Sequence, residues 1–184
     1  MANEGEQDIQ LSDVALNLEP GNDVVPLQPV VHGLKVRLTQ DAVRKIAEQA
    51  VLMAGTKAPV QVELTKCELV DGGVSLTAHA GKGFMGADVS ARVAVEAGGG
   101  NEVRISLAGI EAPRWLPLNS LLDKVIARVV RLPGIRPDGT GQGVLINPAE
   151  ILVQQGIPAR FAPGSWAVAI TPAAVDLGYQ ALGG

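Results

Sequence analysis

Residues Val60–Leu107 read VQVELTKCELVDGGVSLTAHAGKGFMGADVSARVAVEAGGGNEVRISL. Apolar and polar residues alternate along this stretch. Turn signals interrupt it at Asp71-Gly72-Gly73, between Gly81 and Gly86, and at Gly98-Gly99-Gly100. Alternation with period two, punctuated by glycine, is the signature of an antiparallel meander with one buried face. Val62 and Leu64 share a phase, but Cys67 and Leu69 lie in the other one. A β-bulge at Thr65 or Lys66 would absorb the change. Val74, Leu76, Ala78 and Ala80 then face inward, followed by Ala87, Val89, Ala91, Val93 and Val95, and by Val103, Ile105 and Leu107. The inward alanines leave room for a close helix or for a ligand.

The segments outward from the meander alternate between helix and strand. On its N-terminal side, Leu34, Val36 and Leu38 alternate with Lys35 and Arg37, which predicts a strand with one wet face. Thr39 then caps a helix to about Ala54, with Val43, Ile46, Ala47, Ala50 and Met53 on one stripe and Gly55 at its end. On the C-terminal side, Asn119 or Ser120 caps a second helix. Its wide stripe is Leu121, Leu122, Val125, Ile126, Val129 and Val130, and Pro133-Gly134 stops it. A flexible glycine-rich loop, Arg136 to Gly143, lacks the Lys-Ser/Thr ending of a phosphate-binding loop. Val144–Ile146 reads as a strand, and Asn147-Pro148-Ala149-Glu150 opens a short capped helix. Trp166, Val168 and Ile170, then Val175, Leu177 and Tyr179, form a closing hairpin.

The expected fold class is therefore α+β, a curved antiparallel β-sheet wrapped around two long α-helices. Residues 1–33 are expected to be an extended, partly disordered arm, and residues 34–182 a single domain. The arm either lies on the domain surface or offers Ile9 to Leu18 to a partner as an added strand.

Composition narrows the function classes. Hydrophobic residues make up 47% of the 184 but aromatics only 3%, so the core is expected to be mostly aliphatic. A net charge of -4 argues against a partner held by its phosphates, and no nucleic acid is expected. One cysteine, Cys67, with His32 and His79, supports neither a disulfide framework nor a metal site; no cofactor is expected. The serines stand in no nucleophile-elbow context, His79 sits on the polar phase of its strand, and Cys67 reads as core filler. The expectation is a non-enzyme. The N-terminus MANEGEQDIQ has no signal-peptide pattern and no stretch is long enough to span a bilayer, so the chain as given is expected to be cytoplasmic, with peripheral membrane contact open to it.

Two loops carry unusual apolar residues: Phe84 and Met85 between glycines, and Trp115 and Leu116 between prolines. Either they plug the ends of the core, or they form a ligand, membrane or partner contact with Lys82 and Arg114 beside them. In an up-and-down meander both loops fall at the same edge of the sheet.

The element order, the strand-to-helix phrase Val36-Arg-Leu-Thr-Gln-Asp-Ala-Val43 and the ending Gly143-Val-Leu-Ile-Asn-Pro-Ala-Glu150 together resemble the LmeA-like family of bacterial proteins, within the tubular lipid-binding (TULIP-like) superfamily. The resemblance spans roughly Leu34 to Leu182 and is one of pattern. It implies an apolar groove between helix and curved sheet that holds lipid chains. The expected ligand is accordingly a lipid or another apolar small molecule, with Phe84, Met85, Trp115, Leu116 and Val129 as ligand-binding residues. The alternative is an adaptor that docks on a protein partner or membrane surface through its arm and apolar loops.

Overall fold

The computed structural model describes residues 8–21, 26–55, 61–82, 85–114, 123 and 126–183. Two sheets face each other. The meander strands β3 (Gln61–Val70), β4 (Gly73–Lys82), β5 (Met85–Gly99) and β6 (Glu102–Glu111) are extended by β8 (Gly143–Ile146) and β7 (Ile135–Pro137), in the order β3-β4-β5-β6-β8-β7. The second sheet runs β1 (Ile9–Pro20), β2 (Leu27–Thr39), β11 (Ala174–Ala181), β10 (Gly164–Ile170). A two-residue β9 (Arg160–Phe161) pairs in parallel with β2. Among the described residues the helices are α1 (Gln40–Gly55) and α2 (Pro148–Gln154), with further helical residues at 123 and 126–129.

This corrects the expected fold class. Strands make up 61% of the protein and helix 17%, and the described residues hold no two long helices for a sheet to wrap. The inner face of the meander is covered instead by the second sheet. Val175 of β11 packs with Cys67, Leu69 and Val74, and Tyr179 packs with Val103. A sheet has a whole face to bury, and a second sheet can match it strand for strand.

Local sequence signals explain the elements. Thr65 is the extra residue of a bulge between the Leu64–Ala78 and Lys66–Thr77 pairs, and its hydroxyl donates to Thr77 O at 3.0 Å. The β3–β4 turn uses Gly72 at φ 73°, a conformation that suits glycine. Thr39 caps α1 by accepting from Ala42 N at 3.3 Å. At α2, Asn147 accepts from Ala149 N at 3.1 Å. Its amide donates to Glu150 Oε1 at 3.0 Å, so the acid meets the cap through its side chain. The stretch 136–143 is tied into the sheet. Arg136 and Pro137 belong to β7, and Asp138 is held by Arg104 and Thr140.

The core is less aliphatic than the composition suggests. Of two Phe, two Trp and one Tyr in the chain, Phe161, Trp166 and Tyr179 stack together, with ring centroids 4.7–5.8 Å apart. Rings this close add edge-to-face attraction to the area they bury. They close around Asn101 of the β5–β6 turn. Trp166 Nε1 donates to Asn101 O at 3.1 Å and Tyr179 OH to Asn101 Oδ1 at 2.8 Å.

Candidate functional site

Of the sequence-predicted ligand residues, only Met85 and Val129 fall among the described residues. Phe84, Trp115 and Leu116 lie outside the described residues. Met85 opens β5 and pairs with Lys82, and Val129 is half-buried in the 126–129 turn. β4 and β6 do run in the same direction, each antiparallel to β5. Their ends are offset, however. Lys82 lies opposite Met85, whereas Glu111 lies opposite Ser90, five residues along β5 and roughly 17 Å away at the usual strand rise.

What stands out instead is β1. Residues aligned across the second sheet share a face, so burial can be followed strand by strand. In one row Val175 is 3% exposed, Leu38 is half-buried and Ile9 is 52% exposed. In the next, Leu177 and Val36 are half-buried while Leu11 is 65% exposed. In a third, Phe161 and Val31 are buried and Leu16 is 55% exposed. The core-facing side of the sheet therefore runs out from under its cover before it reaches β1. Val14, Leu18 and Leu27 are also more than half exposed. Isolated exposed apolar residues are ordinary, but a strip of them along one face of one strand marks an interaction surface.

The edge of β1 is free as well. Its only strand partner among the described residues is β2. A bulge interrupts the ladder: Asp13 and Val14 together face Leu34, and Asp13 takes φ 50°, a left-handed conformation that aspartate tolerates. One step on, His32 is the extra residue on β2. The bulge lets the apolar phase pass from Ile9 and Leu11 to Leu16 and Leu18 without leaving the core face. Sequence reading offered Ile9 to Leu18 as a strand for a partner but had no means to see the uncovered face.

Ion pairs fasten β1 at both ends and leave the apolar strip clear. Lys45 of α1 holds Asp8, whose backbone oxygen also accepts from Thr39 N at 3.1 Å. Lys35 reaches Asp13 at 2.5 Å, and this hydrogen bond raises its pKa above the ordinary lysine value. Arg160 holds Glu19, spanning β2 beside the buried Val30. Glu19 Oε1 lies 3.9 Å from His32 Nε2, an atom shut off from solvent with no hydrogen-bond partner. On α1, Ile46 and Leu52 are exposed although the sequence places Ile46 on the apolar stripe; Ala42, Val43 and Ala47 face inward.

Other polar clusters have structural roles. Burial pushes the Cys67 thiol up, away from the reactive thiolate. His79 Nδ1 lies 2.9 Å from Asp88 Oδ1 on the exposed face of the meander. Among the described residues no cluster of His, Cys, Asp or Glu could hold a metal ion, and no helix is long and apolar enough to cross a membrane. A shallow open depression of about 560 Å³ at the Gly100 turn includes Glu102 and Arg136, which already neutralise each other through bonds of 2.8 and 2.6 Å. No family model, curated protein or solved structure matches this chain.

Proposed function

We propose that this protein is a non-enzymatic docking module that holds a protein partner on β1. The observation that carries the reading is the uncovered core-facing strip Ile9, Leu11, Val14, Leu16 and Leu18, running beside a free strand edge. An added strand can use both, main-chain groups for the edge and apolar side chains for the strip. A small apolar molecule could cover the strip but would leave the edge groups to water. Leu11→Ser with Leu18→Ser tests the assignment. On a docking face the double variant melts within about 2 °C of wild type, as surface changes do, and binds much less of an apolar fluorescent dye. A drop of many degrees with dye binding unchanged would place these leucines in the core and end the proposal.

A second reading concerns the inner face of β3–β5. Val62, Ala78, Ala87, Val89 and Ala91 are only half-buried there, with Ala80 buried in a cluster of small aliphatic side chains. Such a wall suits a lipid chain or another apolar ligand, as the LmeA-like resemblance implies. Native mass spectrometry of gently isolated protein checks this reading. Co-purified lipid supports it, and a clean apo mass counts against it.

A further inference from the structure

We infer that the occupant of the β1 edge is a second copy of this chain, paired antiparallel about a two-fold axis; the inference rests on the docking reading above. The argument comes from the bulge. An isologous contact uses the same strand twice, so β1 must match itself when reversed. Residues directly opposite in an antiparallel ladder share a face, which in an unbroken strand requires that their numbers sum to an even value. The Asp13–Val14 bulge reverses the phase half-way, so the halves of β1 match only in an odd register. One such register pairs Leu11 with Leu18 of the second copy, Gln10 with Glu19, and Ser12 with Asn17. These pairs then share a face, apolar with apolar on the core side and polar with polar on the outer side, while Asp13 to Leu16 form the bulged centre.

Strand length selects among the odd registers. In this one, Glu19 of the second copy meets Gln10, whose neighbour on β2 is Arg37. A shift to the neighbouring register that pairs Ile9 with Leu18 would leave Glu19 and Pro20 beyond the end of the partner's β1. The chosen register also uses all twelve residues of β1, with two short ladders flanking a bulged centre. It consumes both free edges and presses the two leucine pairs together.

Sedimentation velocity of the full chain, from about 1 µM to about 1 mM, tests the inference. Wild type is expected to show a concentration-dependent dimer. Gln10→Glu puts an acid opposite Glu19 twice per dimer and should weaken it by about two- to thirty-fold. Raising the salt should restore much of the loss. Within the chain, the same change places a carboxylate beside Arg37, so failure to fold does not explain a weaker dimer. A wild type that stays monomeric throughout, or a dimer indifferent to Gln10→Glu, overturns the inference. The melting and dye results for Leu11→Ser with Leu18→Ser are independent of association and show whether the docking reading falls with it.

Discussion

Tyr179→Phe removes one oxygen from the centre of the structure and leaves the ring stack. Tyr179 is 3% exposed, and Phe161 stands edge-on to it with centroids 4.7 Å apart. Its hydroxyl has one proton and two acceptors within reach, Asn101 Oδ1 at 2.8 Å and Ala162 O, so it donates to one at a time. Burial raises its pKa above the ordinary tyrosine value, which keeps that proton on the oxygen at neutral pH. Without the hydroxyl, a half-buried acceptor beside the aromatic cluster loses its donor. Leaving a buried polar group unsatisfied costs about 1–3 kcal/mol. For a chain of this size that corresponds to a fall in Tm of roughly 2–4 °C per kcal/mol. Tyr179→Ala additionally removes the ring and should cost about 3–5 kcal/mol. Urea denaturation measures both, with an unchanged m-value confirming that stability alone has moved. If Tyr179→Phe unfolds within about 0.3 kcal/mol of wild type, the hydroxyl satisfies nothing, and the argument that Asn101 ties the aromatic cluster together fails.

Two further predictions follow from capping and charge. Thr39→Ala removes the acceptor for Ala42 N and the donor to Asp8 O, and should cost about 0.5–2 kcal/mol by denaturation, with Thr39→Ser recovering much of it. Asp138, whose side chain is 1% exposed, has its pKa lowered from 3.8 to about 2, first by the Thr140 hydroxyl and amide and then by Arg104. A depressed carboxylate stabilises the fold fully above its unfolded pKa and loses that contribution as pH falls through the folded value. The stability gap between wild type and Asp138→Asn should therefore narrow between about pH 4 and pH 2, and a gap that is constant over this window would contradict the assignment.

Local order was legible in the sequence because its causes are local. Alternation placed the four meander strands, the phase break announced the bulge at Thr65, and Thr39 and Asn147 marked the starts of α1 and α2. These signals depend on residues within a few positions of one another, and no distant contact is needed to express them. The architecture around the meander was misjudged for a related reason. An apolar stripe such as Leu121 to Val130 says that a face is to be buried, but not what will bury it.

Coverage was decided only by tertiary structure. The sequence of β1 alternates as a buried strand would, yet among the described residues its apolar strip is exposed. The same holds for Ile46, which lies on the apolar stripe of α1 but is turned away from the packed side. Whether a face is core or docking surface depends on where the opposing layer ends. That is fixed by pairings such as Val175 with Leu38 and Leu38 with Ile9, which join strands from opposite ends of the chain. Asn101 shows the same division: its place after three glycines marks a turn, and only the fold brings Trp166 and Tyr179 to its polar atoms.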